Sequence, residues 1–204
     1  MSRPSDPDAD AEAGWLGEVQ RLDSAVYLAV ADTPTPRLDA TMRRLTNAAN
    51  YSRLSIASAA VLAVTGGERG RRAAATGLVT VGLTSAFVNL IVKPLGRRRR
   101  PVRETHESAR THNVQMPTSA SFPSGHTAAA FAFATAVGDV LPLAGVPLRG
   151  LAALVGYSRV HTGVHYPGDV IAGALIGAVV AEVSADAVAG VVSRTSTRLS
   201  SRSS

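Results

Sequence analysis

Three separated segments of this 204-residue chain carry residues able to act on an anion. The first is Lys93-Pro-Leu-Gly-Arg-Arg-Arg-Arg100-Pro101, where an apolar stretch ends. The second is Pro123-Ser124-Gly125-His126, where another begins. The third is Ser158-Arg159-Val-His161-Thr-Gly-Val-His165-Tyr-Pro-Gly-Asp169, between two later apolar stretches. Arginine forks match phosphate oxygens in pairs, and lysine adds a compact point charge. Ser124 and Gly125 precede a helix whose first N–H groups and positive dipole end favour an anion. Gly125 has no side chain and lets the backbone come close. Asp169 follows His165 by four residues. It can accept the proton of the far ring nitrogen, orienting the imidazole and raising its basicity. A histidine so held can attack phosphorus and carry it covalently. His126 would then protonate the leaving oxygen and later activate water. Singly, each segment has a plainer reading. An arginine run anchors a helix at a lipid surface, Pro-Ser-Gly-His makes a turn and cap, and His-x-x-x-Asp on a loop is incidental. Their combination, order and places at helix ends carry the inference.

These segments need a scaffold that brings several helix ends to one face. Residues 1–14 are acidic and proline-bearing, and read as a disordered tail. Residues 15–52 hold two amphipathic helices, Trp15–Ala31 and about Leu38–Asn50, separated by Thr33–Pro36. They either pack on a bundle or lie in a membrane interface. Residues 53–193 read as a bundle. Leu54–Gly67 is free of charge, Glu68–Arg72 is a charged turn, and Ala73–Val92 is twenty uncharged residues, enough for one crossing. Phe122–Leu143, Leu148–Tyr157 and Val170–Val192 are further apolar helices. Pro142–Pro147 reads as a turn and Ser158–Asp169 as a loop. Residues 194–204 form a polar basic tail. The expected fold is all-α: a polytopic membrane helix bundle of about five spans with N-terminal amphipathic helices. Its Ala- and Gly-rich helices suit close packing in lipid. Charges in Val170–Val192 and the shortness of Leu54–Gly67 keep a soluble bundle as the alternative. In an up-and-down bundle, alternate connections share a face. Lys93, Arg100 and Arg159 then converge with His126 and His165.

The three segments together resemble the tripartite signature of the type 2 phosphatidic acid phosphatases: Lys-x6-Arg-Pro, Pro-Ser-Gly-His and Ser-Arg-x5-His-x3-Asp. That superfamily also includes bacterial acid phosphatases and vanadium haloperoxidases. Every motif position matches between Lys93 and Asp169, including both internal spacings. The resemblance implies that Lys93, Arg100 and Arg159 bind phosphate oxygens with help from Ser124 and the Gly125 amide. It implies that His165 is the nucleophile, Asp169 orients it and His126 is the general acid. It implies no metal or other cofactor. His106, His112 and His161 fall outside the pattern and read as loop histidines. Asp139, within an apolar helix, reads as a helix–helix hydrogen-bond partner, although an ionisable residue there is a functional candidate by default.

Composition excludes several other classes. There is no cysteine, hence no disulfide, thiolate metal site or cysteine nucleophile. The net charge of +6 would ordinarily suggest nucleic acid. But Lys93–Arg110 alone holds seven basic and two acidic residues, +5 of that total, beside the motif that should hold phosphate. No nucleic-acid partner is expected; the expected partners are a lipid phosphate and the bilayer. Lys93 is the single lysine among 21 basic residues, at the one motif position that asks for lysine. Candidate substrates are phosphatidate, phosphatidylglycerol phosphate and polyprenyl-linked phosphates, including decaprenyl-linked phosphoribose as an analogy with actinobacterial members. The expected location is the bacterial inner membrane, multi-pass. Basic residues number 14 on the side of the site and seven opposite; without Lys93, Arg97–Arg100 and Arg159 they are eight against seven, so charge does not orient the chain. Arg97, Arg98, Arg99, Arg103 and Arg110 have no assigned role. Two rivals stand beside the phosphatase: a vanadate-dependent haloperoxidase using the same cradle, and a non-catalytic protein binding anionic lipid.

Overall fold

The computed structural model describes residues 7–96, 98–101, 114 and 116–200, and every regular element among them is helical. In chain order these are α1 (Pro7–Ala31), α2 (Pro36–Ala48), α3 (Arg53–Thr65), α4 (Gly67–Phe87), the short α5 (Lys93–Gly96), α6 (Gly125–Val140), α7 (Pro142–His161) and α8 (Pro167–Ser200). A 3-10 turn, Asn50–Ser52, links α2 to α3, and a π turn, Val88–Val92, carries α4 into α5.

Proline explains several departures from the sequence reading. At the first helical position it gives up only an N–H that would lack a helical partner anyway. α1 starts at Pro7, inside the expected disordered tail. α8 starts at Pro167, so Asp169 stands in its first turn. The expected Pro142–Pro147 turn is the opening of α7, which tolerates Pro147 inside the helix. α7 runs on through Ser158 and Arg159 to His161, and the expected loop shrinks to 162–166. Glu68–Arg72 likewise belongs to α4. The chain reverses at Gly66 and Gly67 instead, where Gly67 takes a φ of 59° that favours glycine.

The core lies between α3, α4 and α6, where Ala59, Ala73, Ala74, Val81, Ala129, Phe133 and Val137 are buried. α6 and α8 meet backbone to backbone. A methyl on Gly173 would fall 2.5 Å from Ser124 O, and one on Gly177 would fall 2.2 Å from Ala128 O. Glycines four apart let two helices close up with no side chain between them, the packing expected where helices associate in lipid. This contact sets the start of α6 against the start of α8, and the Ser124 N–H donates to the Asp169 carbonyl at 2.9 Å.

The outer surface is apolar where a water-soluble bundle would carry charge. On α8, Ile171, Leu175, Val179 and Val183 form an outward stripe, each at least 58% exposed. Val61, Val64, Leu83, Leu90, Leu143 and Val146 extend that surface over α3, α4, the π turn and α7. Two helices, Gly67–Gly96 and Pro167–Arg194, are long and apolar enough to cross a membrane. α3 and α6, with 13 and 16 residues, are shorter than the expected spans.

α1 turns its apolar side outward: Trp15, Val19, Leu22 and Val26 are all exposed. Its buried side is Asp23, Tyr27 and Ala31, packed on Val160 of α7 and on Tyr166. Asp139 is exposed near the end of α6 remote from the site. It does not sit between helices as expected, because α6 ends just beyond it at Val140.

Candidate active site

Helix ends supply the site, as the motif spacing requires. Ser158 and Arg159 sit in the last turn of α7, Asp169 in the first turn of α8, and His165 on the short connection between them. His165 and Asp169 are 2% and 0% exposed. His165 Nδ1 faces Asp169 Oδ2 at 3.5 Å and makes no shorter hydrogen bond. On the other side of the ring, Arg100 Nη1 donates to Nε2 at 3.3 Å. Arginine can only donate, so Nε2 is the unprotonated nitrogen and the ring proton lies on Nδ1, toward the carboxylate. Burial, and then the charges of Arg100 and Arg159, push the His165 imidazole down to about 4 against the pull of Asp169. It is therefore neutral at pH 7.

Arg100 is the cation at that nitrogen. Arg100 is held by carbonyls: Nε donates to Ser119 O at 2.9 Å, Nη1 to Val164 O at 2.7 Å and Nη2 to Ala120 O at 3.3 Å. The π turn adds a residue to the helical turn just before Lys93, rotating it away from the face that a regular helix would give it. Lys93 Nζ donates to Ser119 Oγ at 3.4 Å, and lies 3.7 Å from where a methyl on Gly125 would sit. Lys93 thus stands over the first turn of α6, whose N–H groups point the same way. Arg159 is buried and donates to Thr46 Oγ1 at 2.6 Å. Ser124 is fully buried, with its hydroxyl 2.9 Å from Thr127 Oγ1. His126 lines one cavity with Lys93 and Gly125 and a second with Ser119 and Arg159, which places it at the same centre. The structure therefore brings together all eight residues expected at the site. Among the described residues no group of three or more His, Cys, Asp or Glu could hold a metal ion.

His126 lines two cavities. One, of about 190 Å³, runs from Lys93 and Gly125 into the bundle beside Ser55, Ser85, Asn89 and Val155. The other, of about 470 Å³, lies toward the N-terminal helices and is lined by Asn47, Asn50, Met116, Thr118, Ser119 and Arg159. Tyr51 borders both and, with Ser52, has a φ of 55°, a strained backbone for residues other than glycine.

Sequence reasoning missed the partners that hold these groups. Asn50 Oδ1 meets His126 Nε2 at 3.0 Å, and Thr46 holds Arg159. His161 is no loop histidine: it is buried in the last turn of α7 and pairs with Asp39 of α2 at 3.0 Å. Asp169 accepts hydrogen bonds from Ser121 Oγ at 2.5 Å, the Tyr166 N–H at 3.0 Å and Arg98 Nη1 at 2.9 Å. Arg98 also reaches Asp23 of α1. Burial opposes the Arg98 charge, but its bonds to Asp23 and Asp169 outweigh burial and hold it above the usual arginine value. No local pattern marks these residues, since each looks like an ordinary polar residue of a helix or turn. Arg99 is exposed. Arg97, Arg103, Arg110, His106 and His112 lie outside the described residues.

The model of the PAP2 superfamily matches residues 74–190, more than half of the chain and all three motif segments. The chain belongs to the PAP2 superfamily. Among PAP2 relatives, decaprenylphosphoryl-5-phosphoribose phosphatase of Mycobacterium tuberculosis (strain H37Rv) is 39% identical over 93 residues, covering 44% of this chain and 47% of that protein. Lipid A 1-phosphatase of Rhizobium etli is 34% identical over 97 residues, covering 46% of this chain and 41% of that protein. The chain thus spans less than half the length of these curated relatives. Two solved structures share the fold across most of its length. The transmembrane PAP2 type phosphatidylglycerolphosphate phosphatase from Bacillus subtilis has a TM-score of 0.62 at 25% identity, covering 87% of each chain. LpxE of Aquifex aeolicus has a TM-score of 0.60 at 26% identity, covering 80% of this chain and 94% of that one. The bundle is that of a membrane PAP2 protein. Helices α1 and α2, which hold Asp23, Asp39 and Thr46, precede the residues that the PAP2 model matches.

Proposed function

We propose that this chain is a metal-independent phosphatase of membrane lipid phosphates working through a phosphohistidine. One observation carries the reading: His165, buried and neutral, has its unprotonated Nε2 toward Arg100 and its Nδ1 toward Asp169. Lys93, Arg100, Arg159 and the first N–H groups of α6 would hold the phosphate oxygens. Gly125 would allow their approach, and Ser124 would help shape that turn. Nε2 would attack phosphorus as the bond to the lipid oxygen breaks. His126, protonated once the negative charge of the bound phosphate offsets the surrounding cations, would give its proton to that oxygen, and the lipid alcohol would leave. Neutral His126 would then take a proton from water as that water attacks the phosphohistidine. Inorganic phosphate would leave and free His165. Asp169 would stabilise the His165 ring while it carries charge.

The substrate is a phosphate on a membrane lipid, and we favour a polyprenyl-linked sugar phosphate such as decaprenylphosphoryl-5-phosphoribose. The similarity to the mycobacterial enzyme supports that choice, as does the polar cavity beside His126 with Asn47, Asn50 and Thr118 on its wall. The protein would be multi-pass in the bacterial inner membrane, with α3, α4, α6, α7 and α8 as the five crossings. α1 would lie in the interface with Trp15, Val19, Leu22 and Val26 toward lipid. The outward apolar residues of these helices support this arrangement.

The test is phosphate release from a panel of purified lipid phosphates in detergent, comparing wild type with His165→Ala. The expected result is loss of turnover in the variant and an acid-labile phosphate trapped on the wild type. Turnover that survives His165→Ala would refute the mechanism. Side-specific labelling of single introduced cysteines, in a chain that has none, would decide the number of crossings and the face of the site.

A further inference from the structure

Arg98, without a role in the sequence reading, has three partners around the turn that carries Asp169. Its Nη1 donates to Asp169 Oδ1 at 2.9 Å and its Nη2 to Asp23 Oδ2 at 2.6 Å. Its guanidinium lies 4.1 Å from the centre of the Tyr166 ring. Asp23, in turn, accepts the Gly168 N–H at 2.7 Å. Tyr27, one turn further along α1, meets Tyr166 edge-on at 5.5 Å. One face of α1 therefore grips the turn from Tyr166 to Asp169, whose carboxylate faces His165.

We propose that Asp23 and Arg98 are positioning residues for the reaction, and that α1 is through them a working part of the active site. This rests on the phosphohistidine reading and adds two residues that lie outside its motif positions. The geometric half of the argument concerns Asp169. Its carboxylate is fixed by Ser121, by the Tyr166 N–H and by Arg98, which leaves Oδ2 aimed at His165 Nδ1. The electrostatic half concerns Asp23. Arg98 alone would neutralise Asp169, and a neutral pair would do little for a charged imidazole. Asp23 supplies a second carboxylate, so two acids and one guanidinium present a single net negative charge to His165. That charge opposes the two cations that act on the ring, Arg100 and Arg159, while Lys93 and His126 complete the cradle. The remaining nearby acid of the N-terminal helices, Asp39, is engaged by His161.

The arrangement predicts opposite effects at two touching residues. Asp23→Asn leaves Arg98 to neutralise Asp169, so His165 becomes harder to protonate and the acid limb of kcat/KM moves to lower pH. Arg98→Gln exposes the full charge of both acids, and the limb moves to higher pH. Each shift should be roughly half a unit to one unit, for a unit charge acting across several ångströms of protein at an effective dielectric of ~20 or more. The double variant Asp23→Asn/Arg98→Gln restores the net charge, and its limb should return toward the wild-type position, between those of the two single variants. Asp23→Asn should also lower kcat by about tenfold with KM within about twofold, as expected for a misplaced orienting group, and Asp23→Glu should recover part of that loss.

The measurements are kcat/KM against pH on one lipid phosphate, with the thermal midpoint of each variant recorded alongside. Limbs that move together, or remain still while only the midpoint falls, mean that α1 merely braces the fold, and they overturn the proposal. His165→Ala is the separate control. Its surviving activity would refute the phosphohistidine reading, whereas its loss of activity with unmoved limbs refutes only the roles of Asp23 and Arg98.

Discussion

A single methyl group, added at two places on α8, tests whether the approach of α6 and α8 sets the catalytic geometry. At Gly177 the added Cβ would sit 2.2 Å from Ala128 O, whereas at Gly190 nothing lies within 4 Å. A carbon–oxygen contact needs about 3.3 Å, so Gly177→Ala must push the helices apart locally by about 1 Å. Overpacking of this kind costs about 1–3 kcal/mol, partly offset by the roughly 1 kcal/mol that alanine gains over glycine in a helix. The net loss, up to about 2 kcal/mol, corresponds to a fall of up to about 8 °C in the thermal midpoint for a chain of this size. The same push reaches the first turn of α8, where Asp169 is held by Ser121 and faces His165 at 3.5 Å. A misplacement of ~1 Å at a reacting centre can cost about a hundredfold in rate. Gly190→Ala should leave the rate unchanged and the midpoint level or slightly raised. The assays are thermal unfolding in detergent and kcat on one lipid phosphate, with both variants purified in parallel. Equal midpoints and equal rates for the two variants would refute the claim that this helix contact positions Asp169.

Two further outcomes follow from the site. His165 has a lower pKa when folded, about 4 against 6.5, so the unfolded chain binds the extra proton between those values. Stability should be fully present above about pH 6.5 and fall by roughly 2–4 kcal/mol as pH drops to 4; thermal midpoints across that range should show a slope that His165→Asn flattens, and an unchanged slope in the variant would contradict the assignment. Asn50→Ala removes the partner of His126 and should lower kcat by on the order of tenfold with KM little changed; a variant with wild-type kcat would show that Asn50 does not orient the ring.

Spacing alone made much of the site legible. Lys93, Arg100, His126, Arg159, His165 and Asp169 stand at intervals that only a set of helix ends converging on one face can use, and the structure brings them there. The helical class followed from long charge-poor stretches rich in small residues. Helix boundaries were harder to read. Pro142, Pro147 and Pro167 look like breakers in sequence, yet Pro142 and Pro167 open helices because the first turn does not need their N–H. Asp23 and Arg98 were also invisible, one as a polar residue on an amphipathic helix and the other as one of four consecutive arginines.

The amino-acid sequence by itself determined which chemistry this chain can hold: the phosphate-matching cations, the paired histidines and the carboxylate, each named by residue type and interval. Only the tertiary structure decided what grips them. Contacts such as Asp23 to Arg98, Thr46 to Arg159 and Asn50 to His126 join residues from 75 to 113 positions apart. No local propensity encodes such distances. They exist because α1 and α2 fold back over the site, and because glycines on α8 let it close on α6.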